Sequence, residues 1–93
     1  MEGIAKQKVP GGKLLIVKVR YAERIEEVKI LGDFFIYPES AVQEIEAGLN
    51  GIDATSSEES VAELVGQISK RCNAEMIGVN PSAIAQTLRA AMG

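Results

Sequence analysis

Lys13-Leu14-Leu15-Ile16-Val17-Lys18-Val19-Arg20-Tyr21, then Ala22-Glu23-Arg24, then Ile25-Glu26-Glu27-Val28-Lys29-Ile30-Leu31: the fold turns on this stretch. In an extended chain alternate side chains point to opposite faces. Leu15, Val17, Val19 and Tyr21 therefore share one face, with Lys18 and Arg20 on the other. Leu14 and Ile16 make the first half apolar on both faces. In the second segment Val28 and Ile30 face the core while Glu27 and Lys29 point out. The short link at 22–24 makes the two segments an antiparallel hairpin.

Working outward, Gly32-Asp33-Phe34-Phe35 closes the second strand. Gly32 reaches backbone shapes closed to other residues, and Asp33 can hydrogen-bond its own turn. Phe34 and Phe35 then point to opposite sides if extended. With Tyr37 they put three of the four aromatic residues within four positions. Such a cluster is either the heaviest part of the core or a surface that something else covers. On the other side, Pro10-Gly11-Gly12 interrupts regular structure. Residues 1–12 read as an N-terminal arm, with one domain over 13–93.

Three helices follow. Pro38 suits a first helical turn, and Ala41, Val42, Ile45 and Leu49 form a buried stripe ending at Asn50-Gly51. Ser56 and Glu59 have capping-box spacing for a helix to about Cys72, burying Val61, Leu64, Val65, Ile68 and Cys72. Met76-Ile77-Gly78-Val79 is an apolar run, a third strand or a buried link. Asn80 caps and Pro81 starts a last helix to about Met92, burying Ile84, Leu88 and Met92. The expected fold is α+β, a small antiparallel sheet with about three helices packed on one face.

Composition narrows the function. Ninety-three residues, 46% hydrophobic and 25% charged, fit one soluble domain. No run of about 18 apolar residues suggests a membrane span, and the N-terminus lacks the apolar core of a signal peptide. With no histidine and one cysteine, the usual proton shuttle and the usual zinc site are both missing. Neither a phosphate loop of the Gly-Lys-Ser/Thr kind nor a Gly-x-Ser-x-Gly elbow is present. As an enzyme on its own the chain is poorly equipped, and no catalytic residue or metal ligand is expected. A lone cysteine suits the cytoplasm.

Charge is uneven. Through Arg20, five cations face Glu2 alone, a balance of +4; from Ile36 onward three cations face eight carboxylates, a balance of −5. A net charge of −3 argues against nucleic acid as a partner. The basic edge suits a phosphate, an acidic partner, or simply protection of an edge strand from aggregation.

Four blocks carry a family resemblance: Lys8-Val9-Pro10-Gly11-Gly12-Lys13-Leu14-Leu15, Lys29-Ile30-Leu31-Gly32-Asp33-Phe34-Phe35, Pro38-Glu39, and Gly78-Val79-Asn80-Pro81. The glycine-aspartate-aromatic-aromatic block is the most specific; Pro-Gly-Gly-Lys alone is weak. With them, from about Lys6 on, the chain resembles the small C-terminal or accessory domain of lipoate–protein ligase, in the two-chain form typical of archaea. The resemblance implies a non-catalytic subunit of a heterodimer. Its large chain would carry the nucleotide motifs and catalytic lysine, and ATP, magnesium and lipoate would be bound by the complex rather than by this chain. The complex would then transfer the lipoyl group of lipoyl-adenylate, releasing AMP, to a lysine of acceptor domains in 2-oxoacid dehydrogenase and glycine cleavage complexes.

Two residue blocks are then candidates for shaping the adenylate pocket or meeting the large chain. In Lys8, Pro10, Gly11, Gly12 and Lys13 the consecutive glycines let backbone N–H groups approach an anion closely, and the lysines add positive charge; the plain alternative is a flexible turn with solvated lysines. Gly32, Asp33, Phe34 and Phe35 offer an aromatic interface anchor; the plain alternative is a turn plus core filler. Cys72 continues a buried stripe, so packing is its first role. A sulfur or iron–sulfur scaffold using Cys72 is the rival function, because the accessory domain resembles such scaffolds in overall fold, although cluster assembly calls for several cysteines. A free-standing module binding a small anion is a third.

Overall fold

The computed structural model describes residues 1–9, 11 and 13–93. Its centre is the expected hairpin, β2 (Lys13–Tyr21) paired antiparallel with β3 (Ile25–Gly32). Leu15, Val17 and Val19 of β2 and Val28 and Ile30 of β3 are buried, so the alternation read from sequence does set the face. A bulge at Arg20/Tyr21 turns the end of the hairpin.

The N-terminal residues are not an arm. Glu2–Val9 form β1, an edge strand paired antiparallel with β2 along its whole length, from Glu2 opposite Arg20 to Val9 opposite Lys13. The strand is integral because α3 (Pro81–Met92) lies across β1 and β2. At Gly3 any side chain would overlap the backbone carbonyl of Ala91, so glycine lets the helix approach. Ala5 packs against the core, Val9 is buried, and Gln7 accepts a hydrogen bond from the buried Thr87 hydroxyl at 2.9 Å. Gln7 Nε2 donates to Gln86 Oε1, and Tyr21 Oη to the carbonyl of Met92, each at 2.8 Å. Small and polar inner residues gave β1 little β-propensity of its own, and helix docking supplies what propensity lacks.

The sheet β1-β2-β3 is covered on one face only. α1 (Ser40–Leu49) lies beside β3, and its Glu46 carboxylate accepts a hydrogen bond from the Ile30 N–H at 2.8 Å. α2 (Glu58–Arg71) packs on α1 and α3. Ile45, Leu49, Val61, Val65, Ile68, Ile84 and Leu88 fill the space between the layers; Val42, Leu64, Cys72 and Met92, expected to be buried, are only partly so.

Helix ends depart slightly from the reading. Ser57, not Ser56, caps α2, accepting from the Ser60 N–H at 3.1 Å. Asn73, at φ 53°, ends it in the left-handed region, with Ala74 N–H bonded to Ser69 O and Asn73 N–H to Lys70 O. Pro38 precedes α1 rather than starting it, behind a cis Tyr37–Pro38 bond. Asn80 caps α3 as expected, through a 2.7 Å bond from the Ala83 N–H.

Met76 and Ile77 belong to a strand: β4 (Phe35–Tyr37) and β5 (Glu75–Ile77) form a second, two-stranded antiparallel sheet.

Candidate functional site

The two blocks singled out in the sequence meet at one end of the sheet, joined through β2. Gly32 pairs with Leu15, and the Asp33 N–H donates to the Leu14 carbonyl at 2.9 Å. Gly32 sits at φ +147°, and a side chain there would overlap the Leu14 carbonyl oxygen, so conformation and space both demand glycine. The third block joins them: a side chain on Gly78 (φ +82°) would come within 2.9 Å of Lys13 Cγ. The stem of Lys13 thus lies over the link from β5 to α3, beside buried Val79.

The basic block does not form one cradle. Lys13 shares the inner face with Val9 and Leu15, whereas Lys8 shares the outer face with Leu14. Gly11, at φ +101°, has open space around it. Pro10 and Gly12 lie outside the described residues.

The aromatic block divides as a short strand must. Phe34 is half-buried against the core, and Ile36 is buried. Phe35 and Tyr37 are 55% and 49% exposed, their rings stacked 6.1 Å apart at 5°. Phe35 stands opposite Ile77, itself 46% exposed, and Tyr37 opposite Glu75. Beside this patch runs a groove of about 240 Å³ lined by Phe34, Phe35, Ile36, Tyr37, Glu39 and Val42. Ile77 was missed by the sequence reading, because an apolar run shows alternation only once its strand partner is known. Asp33 is exposed at the kink between β3 and β4.

Among the described residues no group of three or more carboxylates or thiols could hold a metal, and no helix is long and apolar enough to cross a membrane. Cys72 is half-buried at the end of α2 and packs against the core. Asp53 lies in the α1–α2 loop. The Thr55 hydroxyl and N–H, bonded to its carboxylate at 2.6 and 2.8 Å, hold it below the usual carboxylate range, with help from the Arg24 charge. Loop backbone bonds pin this turn to the β2–β3 link, Ala54 N–H to Glu23 O and Ile25 N–H to Ile52 O. Its role is structural.

No protein-family model matches the sequence, and no curated protein matches it either. Among solved structures the chain is similar to one from the archaeal lipoylation system of Thermoplasma acidophilum, a bipartite lipoate protein ligase studied with its E2 lipoyl domain. Identity is 28%, the TM-score is 0.69, and the match covers 96% of this chain and 93% of that one. The similarity is thus to a chain of that lipoate–protein ligase system. The resemblance carried by the glycine and aromatic blocks therefore extends to the whole fold. At 96% coverage the shared fold takes in at least part of β1 as well as the hairpin and helices.

Proposed function

We propose that this chain is the non-catalytic accessory subunit of a two-chain lipoate–protein ligase, working in the cytoplasm. It would be needed with the large catalytic chain to turn lipoate and magnesium-ATP into lipoyl-adenylate, before transfer to an acceptor-domain lysine. The observation that carries this reading is the convergence, in a relative of the bipartite ligase, of the family-like blocks with an exposed aromatic patch at one end of the molecule. Exposed stacked aromatics are the kind of residue that anchors a protein contact. Phe35, Tyr37 and Ile77 would hold the catalytic chain. Gly11, Lys13, Gly32 and Asp33 would then lie against the loops that bind the adenylate. Lys13 brings a compact positive charge, suited to a phosphate or to an acidic partner residue. ATP, magnesium and lipoate are held by the complex in this reading, and the accessory chain orders the pocket and excludes water from a reactive intermediate.

The test is lipoyl-adenylate formation by the large chain with and without this protein. Adenylate that appears only with both chains supports the proposal; equal rates from the large chain alone refute it. Within a working pair, Lys13→Ala at saturating accessory chain should slow adenylation if Lys13 helps shape the pocket. An unchanged rate would leave Lys13 no part in it.

A further inference from the structure

The outer face of the three-stranded sheet carries an arrangement that folding alone does not explain. Register places Ile4, Lys18 and Lys29 in one row across the three strands, and Lys6, Ile16 and Leu31 in the next. Lys18 stands directly opposite Lys29. Like charges so placed destabilise a sheet. Lys18 is on the central strand, where lysine is not needed to protect an edge. Glu26 and Glu27 are near, but Arg20 engages both, at 3.3 and 3.6 Å. Among the described residues no carboxylate lies within 4 Å of Lys6, Lys18 or Lys29. Ile4 and Leu31 are 54% and 45% exposed between these cations. A shallow depression of about 420 Å³ lies along Ile4, Lys18 and Lys29 and ends at the Glu2, Arg20 and Glu27 side of the face, so its cations outnumber its carboxylates by three to two. The helices cover only the opposite face.

We propose that this face docks an acidic protein domain, and that the domain is the lipoyl acceptor which the ligase modifies. This rests on the function proposed above. Complementary charge decides the chemistry of the occupant: carboxylates around a small apolar centre, meeting lysines around Ile4 and Leu31. The make-up of the face decides the kind of contact. A permanent subunit interface has an apolar core depleted of charge, which the Phe35–Tyr37–Ile77 patch resembles. The lysine face is mostly charged, as suits a substrate protein that arrives by electrostatic steering and must leave. An acidic chain with one basic face also disfavours extended polyanions such as nucleic acid.

The experiment separates the two half-reactions in the two-chain enzyme. Adenylation is measured from lipoate and magnesium-ATP, and transfer from supplied lipoyl-adenylate to the apo-acceptor domain. For Lys18→Glu/Lys29→Glu we expect adenylation unchanged, kcat/KM for the acceptor lowered roughly tenfold or more, and a flatter salt dependence of transfer. Lys18→Gln/Lys29→Gln, which adds no opposing charge, should give a smaller loss of the same kind. Loss of both half-reactions together would assign the face to the catalytic chain and overturn the proposal, as would no loss in either. Amide shifts of the intact labelled chain on adding acceptor domain give an independent reading. Shifts at Ile4, Lys18, Lys29 and Leu31 support docking here; shifts elsewhere, or none, overturn it. This map holds even if the large chain adenylates alone, so failure of the accessory role and failure of the docking face are told apart.

Discussion

Removing the two stacked rings, Phe35→Ala with Tyr37→Ala, should weaken the hold on the catalytic chain, with a cost to the fold of similar size. Full burial of a phenylalanine side chain is worth about 1.5–3 kcal/mol. Phe35 is 55% exposed and Tyr37 49%, so about half of that remains to be gained by each on docking. The rings touch, so their contributions do not simply add. About 2–3 kcal/mol is expected for the pair, equivalent to a roughly 30- to 150-fold weaker complex. The free chain loses the stacking and the buried halves, about 2–4 kcal/mol. The assay is the rate of lipoyl-adenylate formation at fixed catalytic chain and rising accessory chain, with the melting temperature of the free variant as control. The midpoint should move to higher concentration while the plateau is kept. A folded variant whose midpoint does not move would refute the reasoning. A lowered plateau at an unchanged midpoint would do so too, because it would place the rings in the chemistry rather than the contact.

Gly3→Ala should destabilise the chain by about 1–3 kcal/mol, because the added methyl meets the Ala91 carbonyl and must push β1 from α3; denaturant unfolding reads this, and a wild-type midpoint would mean that β1 is loosely held. Lys29→Glu should raise stability by about 0.2–1 kcal/mol, since an opposite-charge pair replaces the facing lysines at 18 and 29; a fall in melting temperature would show that the lysine pair is not a structural cost. Asp53 has its folded-state pKa lowered, so its contribution is present above the ordinary carboxylate value of about 3.9 and is lost as pH falls through the lower folded value. Asp53→Asn should therefore flatten the stability profile below about pH 4; an unaltered acid limb would argue against the Thr55 bonds.

Much of the fold was legible because its signals are local. Alternation in 13–21 and 25–31 gave the hairpin and its buried face, and Asn80-Pro81 gave the start of α3. The N-terminal strand was not legible. Its inner residues Gly3, Ala5 and Gln7 are small or polar because a helix presses on them, and nothing in their own sequence states that. A Pro-Gly-Gly sequence suggests where a fold begins, yet a full strand, β1, precedes it. For the candidate site, Gly32 and Phe35 were singled out from residue type, but Ile77 becomes visible only when β5 pairs with β4.

By itself the sequence determined the class of fold, the need for glycine at 32, the placing of aromatics after the hairpin, and the absence of histidine chemistry. Those follow from period, backbone freedom and composition, which are properties of neighbouring residues. Only the tertiary structure decided that Lys13 comes to Gly78, that Phe35 meets Ile77, and that Lys18 faces Lys29 across an uncovered sheet. These pairs are fixed by strand register and by which face the helices cover, and both are settled by packing between residues far apart in the chain.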